Sequence, residues 1–513
     1  MNRGLVDERE FVELIQRRAG NLLSLLNGLA GCDRPKQALT RPLLGDLLSQ
    51  AVQMEELFDS YDAGKNCKWC TVRSLTATIK SFADISYELI HIHHRVSNYR
   101  LLPVERDFTA ATEEVLELTA GILVTVSRGM VAQAKALDLE VPHRDKAIEM
   151  YAEKLPKGHL AHNCAARHAE TVAETVTTLA TEFLNLASGS ADVRAASRAK
   201  PEEYRLCLAA SLREERLRRL EFHFHNLQSQ YDTYVSGTEA ETQDPDLPVL
   251  RGHVSVVFHL LKTATVFAHY YERHLTKKPC DKRQAEPALI NPDVLLAALM
   301  SYAITFIDQY IGCAADLCRE MLKRYAEIGE VEVDIPKYRG FHVRPSTLVS
   351  KLVLHYGSKV DMRLADQVYD AGSSLDLFRA NEKINAQKRR WLALEIVRLG
   401  LVPDKPETED VVAIVRSAVL SLAAKGKLIM YEQPLEMPER LCPTDGSLLE
   451  QVTSETARLL AIGKIDISIG IKATFIGDKR VLADIRLLAK HGYGEDNFGN
   501  NIALPPELAY LRR

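Results

Sequence analysis

The sequence has no apolar run long enough to cross a bilayer. Its most apolar stretch, Val294 to Ile307, ends after 14 residues at Asp308; a spanning helix needs about 20, so the spacing predicts a buried helix. The opening Met-Asn-Arg-Gly-Leu-Val-Asp-Glu-Arg-Glu lacks the apolar core of a secretory signal. Nine scattered cysteines, an odd number, predict reduced thiols in a cytoplasm rather than a disulfide framework. A formal net charge of −4 offers nothing to nucleic acid or an anionic membrane surface. Walker, Gly-x-Gly-x-x-Gly, HExxH and Gly-x-Ser-x-Gly motifs are missing too, which removes the usual signatures of nucleotide, zinc and acyl chemistry.

What is present is the composition of a soluble globular protein, 46% hydrophobic and 26% charged. At 513 residues the chain exceeds one core and predicts about three domains. Through 1–330, apolar residues recur at spacings of three and four, predicting helices over 10–30, 43–60, 71–97, 108–138, 161–187, 203–235, 249–275 and 291–327. Breaks fall at Pro35, Gly64, Pro103, Pro142, Pro156 and Ser188–Asp192. The acidic, proline-containing stretch 236–248 marks a possible subdivision, and 277–287 reads as a loop. No fixed-period repeat occurs, so the expectation is a multi-helix bundle.

The character changes at Arg339-Gly-Phe-His-Val-Arg-Pro-Ser-Thr347. Pro345 has a fixed φ and no N–H, which suits the first turn of a helix through 346–354. The free N–H groups of that turn and the positive end of the helix dipole favour an anion. Arg344 brings a planar fork that matches phosphate, and His342 is a nucleophile able to take a phosphoryl group and pass it on.

Gly340-Phe-His-Val-Arg-Pro345 resembles the Gly-Leu-His-Ala-Arg-Pro signature of HPr, the phosphocarrier family of the bacterial sugar phosphotransferase system. Val331–Ile335 reads as a first strand, 346–356 as a first helix, and 359–364 with 367–370 as a hairpin. Tyr369–Leu375 resembles the start of the second helix of that family. The likeness is firm over 331–375 and extends to about 432. It implies an α+β open-faced sandwich with His342 as the residue phosphorylated on Nδ1. Arg344 would contact the phosphoryl group, with Pro345, Ser346 and Thr347 opening the helix that completes the site. Ser373 matches a serine that carries regulatory phosphorylation in some relatives, and it also fits a plain capping box with Asp376. The chain departs from the pattern at Phe341, at Ser346, and in the long helical pattern of 374–399, after which 400–410 reads as a loop where a fourth strand is due.

Beyond 432, residues 433–446 read as a linker, Ser447 and Glu450 cap a helix to about 462, 464–476 alternates like a strand or hairpin, and a helix follows over 478–490. This C-terminal α+β region, 433–513, is a candidate source for the strand that 400–410 lacks. His491–Gly499 reads as a glycine-rich surface loop.

Other constellations are weaker. Cys67-Lys-Trp-Cys70 has the spacing of a redox dithiol or half a zinc site, with His91, His93 and His94 downstream; buried structural thiols near a helix start are the preferred reading. His159, His162, Cys164 and His168 form a loose cluster without a carboxylate at metal spacing, and no metal or cofactor is implied. His223 and His225 read as a solvated edge, and Lys388-Arg-Arg390 as an exposed face. The expectation is a mainly α, cytoplasmic protein of bacterial type. Its helical region (1–330) precedes an HPr-like domain (331–432) that accepts a phosphoryl group on His342 from an enzyme I-like donor and relays it to an acceptor or signals with it. No nucleic acid or membrane partner is expected, and "enzyme" fits only loosely, since the partners supply much of the chemistry. The alternative is a scaffold that keeps the HPr-like fold as a docking module.

Overall fold

A computed structural model describes residues 5–143, 151–153, 160, 171–275, 290–403, 410–431, 434–436, 446–467 and 469–512. Pro156, the His159–His168 cluster, the 277–287 loop and most of the 433–446 linker lie outside these residues. The chain is mostly helical, with 18 helices among the described residues and few strands. It divides into two compact units, Met1–Cys318 and Arg319–Arg513, where composition suggested three.

The first unit is a bundle whose long helices begin where the sequence supplies caps. Asp7 accepts from Arg9 N at 2.9 Å to start Glu8–Ala30, and Asp107 accepts from Ala110 N at 3.0 Å to start Phe108–Ala136. Thr40 caps Arg41–Ser60, and Thr171 with Glu174 forms a capping box before Val172–Gly189. Cys70–Arg95 packs between Arg41–Ser60, Phe108–Ala136 and Leu247–Tyr270, and Leu247–Tyr270 packs in turn on Glu214–Gln230. Their apolar stripes, among them Leu75, Ile79, Phe82, Leu260 and Phe267, are buried completely or nearly so.

Phe108–Ala136 and Pro292–Arg324 are long and apolar enough to span a membrane, averaged across charges such as Asp308. Yet 56% and 67% of their most apolar windows are buried inside the protein. The expected helix 203–235 is broken into Tyr204–Ala210 and Glu214–Gln230, with Leu212 buried at the break.

The stretch 236–248 lies within the first compact unit. It folds into a short helix, Glu239–Gln243, and its acidic side chains serve as local acceptors. Glu241 receives both Tyr231 Oη–H at 2.9 Å and Gly237 N–H at 2.7 Å. Polar composition here reflects turn chemistry rather than a free linker.

The second unit contains β1 (Ile328–Asp334), β2 (Val360–Leu364), β3 (Gln367–Asp370), β4 (Ile429–Met430), β5 (Ile465–Asp466) and β6 (Lys472–Asp478). Four strands form an antiparallel sheet in the order β1-β6-β2-β3, with Val331 and Met362 both opposite Phe475. Alternation fixes the faces: Val331, Val333, Met362 and Phe475 are buried, while Glu332 on the other face pairs with Lys472 at 2.7 Å. Helices Val343–Tyr356, Ser374–Arg398 and Lys479–Lys490 complete this layer.

The fourth strand therefore comes from 472–478, and the described residues between Arg398 and Lys472 form an interposed module. Its core joins Leu392 and Ile396, at the far end of Ser374–Arg398, to Val415 and Val419 of Val411–Ala424, Val452 and Leu459 of Leu448–Ala461, and Ile465 of β5. One 25-residue helix thus serves two cores. The division at Cys318 falls ahead of the expected 330/331 boundary, and the segments expected as 331–432 and 433–513 share one unit because β6 lies between β1 and β2.

Candidate functional site

The residues of the motif meet where β1 gives way to the Val343–Tyr356 helix. Arg339 and Gly340 both adopt left-handed conformations, at φ 53° and 62°. The second requires glycine, since a Cβ there would lie 2.2 Å from Asn381 Oδ1. Phe341 then turns fully inward, with its ring centroid 5.7 Å from that of Tyr493 and 6.4 Å from that of Phe475. This burial holds the chain so that His342 becomes the N-cap residue of the helix.

The helix begins at Val343, two residues before Pro345, which is buried in its first turn. Val343 and Arg344 supply the first N–H groups, for which a helix has no internal acceptor. Ser346 N instead donates to His342 O at 3.1 Å. Ser346 Oγ donates to Phe341 O at 2.7 Å, and Thr347 Oγ1 donates to Val343 O at 2.7 Å, so both hydroxyls are spent on backbone.

His342 has two acceptors. Its Nδ1 lies 3.1 Å from Gly340 O and its Nε2 lies 3.2 Å from the Glu495 carboxylate. A carbonyl only accepts, so a ring that keeps the first contact donates from Nδ1, and donation from Nε2 completes the second. Glu495 is 6% exposed and His342 23%. Burial raises the Glu495 carboxyl above its ordinary range, while His342 and Arg344 pull it back down. Arg344 is tethered on the same loop, with Nε donating to Gly494 O at 3.2 Å. Tyr493, fully buried, donates its hydroxyl to Asp334 O at 2.8 Å and anchors that loop to the end of β1.

The loop expected at the surface, His491–Gly499, therefore forms one wall of the site, with Tyr493, Gly494 and Glu495 buried. A glycine-rich spacing says nothing about a partner 153 residues away. Tyr338 adds an edge-on ring 5.4 Å from His342 and itself meets Tyr431 at 4.9 Å.

Ser373 caps the Ser374–Arg398 helix by accepting from Asp376 N at 3.2 Å. Asp376 does not complete a box; its carboxylate turns to Asp370 N at 3.3 Å. Lys388 corrects the expected exposed face: it is 4% exposed and donates to Asp466 at 2.6 Å.

Cys67 and Cys70 stand at the start of the Cys70–Arg95 helix, with His91, His93 and His94 near its end. At 1.5 Å per residue these ends are roughly 30 Å apart, and among the described residues no group of three or more His, Cys, Asp or Glu is placed to hold a metal. His91 lies instead against His259, centroids 4.5 Å apart, and burial lowers its pKa to about 4, with the neighbouring His259 adding to the effect. His223 and His225 are both exposed. No family model, no curated protein and no solved structure matches this chain.

Proposed function

We propose that the second unit is an HPr-like phosphocarrier or regulatory domain that accepts a phosphoryl group on His342. The carrying observation is the pairing of His342 Nε2 with the buried Glu495 carboxylate at the start of an α-helix. That contact holds Nε2 in its protonated form and reserves Nδ1 for chemistry once its proton has left and the ring has moved off Gly340 O. In the transfer, the His342 Nδ1–phosphorus bond forms as the bond to the donor's carrier atom breaks. The electron pair stays with the donor, and the Nδ1 proton is released to water. Val343 and Arg344 N–H groups, the helix dipole and the Arg344 guanidinium stabilise the product.

The sheet supports the same reading. A strand, helix, hairpin and helix followed by a strand that inserts between β1 and β2 makes an open-faced sandwich, with the interposed module carried between its second helix and last strand. The donor is an enzyme I-like protein, the acceptor a further protein, and the setting the cytoplasm.

A second reading, a docking module with an idle histidine, is favoured by the contact of Nδ1 with Gly340 O and by the Ser346 hydroxyl turned onto Phe341 O. Incubation of the full chain with phosphoenolpyruvate and enzyme I, followed by intact mass under alkaline conditions, separates the two. A phosphate that is acid-labile and absent from His342→Ala supports transfer. No phosphate, with an ordinary HPr labelled in parallel, supports docking.

A further inference from the structure

The loop that carries His342 is gripped from both sides by groups outside the motif. Arg339 is not glycine, yet its φ is 53°, a conformation that costs about 1 kcal/mol and persists only where surroundings impose it. Its N–H donates to Asp466 Oδ2 at 3.1 Å and its C=O accepts from Asn381 Nδ2 at 3.1 Å. Asp466 Oδ1 receives Lys388 Nζ at 2.6 Å and the N–H of Ile467 at 2.7 Å. The Arg339 guanidinium lies over Gly463, where a Cβ would come within 2.9 Å of Cζ.

We infer that the Lys388–Asp466 pair, buried to 4% and 3% exposure, is a positioning element for His342. A buried ion pair is seldom a net gain in stability over an apolar pair of similar size, so stability alone does not account for it here. What the pair does locally is fix the direction of one backbone N–H, and with it the left-handed Arg339–Gly340 turn. Gly340 O in turn receives both His342 N at 2.8 Å and His342 Nδ1 at 3.1 Å. Asp466 belongs to β5 in the interposed module, so that module sets the orientation of the imidazole. The rate prediction rests on the phosphoryl-acceptor reading of His342; the prediction about ring geometry does not.

The test uses the full chain with both charges removed together, Lys388→Met with Asp466→Leu, which avoids an orphaned buried charge. Asn381→Ala releases the other side of the turn. The readouts are the ring 15N shifts of His342 and the rate of phosphoryl uptake from enzyme I and phosphoenolpyruvate. The expected result is loss of the hydrogen-bonded Nε2–H signature in both variants, with uptake slowed roughly 10- to 100-fold. A double variant with parental ring shifts and parental uptake overturns the inference and leaves the pair a structural role only. If the double variant does not fold, parental shifts in Asn381→Ala overturn it equally. Should the unmodified protein take no phosphoryl group, the carrier reading falls and the ring shifts alone decide whether the pair positions His342.

Discussion

Each unit contains a buried histidine–carboxylate pair, and the two pairs are built to opposite ends. In the helical unit His259 Nδ1 lies 2.7 Å from Glu88, which also receives Lys262 Nζ at 2.5 Å. In the second unit His342 meets Glu495 at 3.2 Å, and Arg344 is directed to Gly494 O rather than to the carboxylate. Burial raises both carboxyls, but His259 and Lys262 outweigh it and hold Glu88 down at about 2, whereas burial prevails at Glu495. The supports differ too. Glu88 and His259 project from the middles of long helices, while His342 and Glu495 sit beside Arg339, Gly340, Tyr493 and Gly494, all at positive φ. A permanent cation turns such a pair into a strut. With histidine as the main counter-charge, burial keeps the Glu495 carboxyl above its ordinary range.

The comparison is broken most easily at its carboxylates. Glu88→Ala removes the carboxylate shared by Lys262 and His259, leaving Lys262 with Asp84 at 3.6 Å, and is expected to cost about 2–3 kcal/mol in denaturant unfolding. Glu495→Ala is expected to cost about 1 kcal/mol, the size of one hydrogen bond lost at a partly exposed histidine. Equal losses would erase the distinction.

Acid sharpens it next. His355, stacked on Tyr510 at 4.1 Å, is lowered from 6.5 to about 4 by burial and then by Arg319. A histidine with a depressed folded value contributes stability in full above 6.5 and loses it as pH falls toward 4. The loss is about 3 kcal/mol. His91 acts in the same window in the helical unit. Glu88, also depressed, contributes above 4.5 and fades only toward 2. Unfolding free energies that stay flat between pH 6.5 and 4 would contradict this.

Smaller effects probe the second unit. Gly340→Ala places a methyl against Asn381 in a left-handed turn and is expected to cost about 2 kcal/mol, read as a lower unfolding midpoint. Ser373→Ala removes a helix cap and is expected to cost about 1 kcal/mol. A loss much larger than that would mean the serine does more than cap.

The legibility of these features follows their range along the chain. Helices announced themselves through caps such as Ser447 with Glu450 and through period, because both act within a few residues. The His342 loop was readable for the same reason. Glu495, Asn381 and Asp466 were not: each acts on the loop from 42 to 153 residues away, and each sits in a local pattern with another ordinary reading. Lys388 looked solvated because its neighbours Arg389 and Arg390 are charged, and only the fold reveals Asp466 opposite it. The fourth strand was readable in the alternation of 464–476, but its place between β1 and β2 was not, because the second helix and the interposed module together separate β3 from β6 by about a hundred residues.

The most direct measurement is a long-range 1H–15N spectrum of the His342 ring in the full chain, before and after enzyme I and phosphoenolpyruvate are added. The account predicts a large shift at Nδ1 and a retained Nε2–H bonded to Glu495, both absent in His342→Ala. An unchanged ring, or phosphate found on another residue, would contradict it.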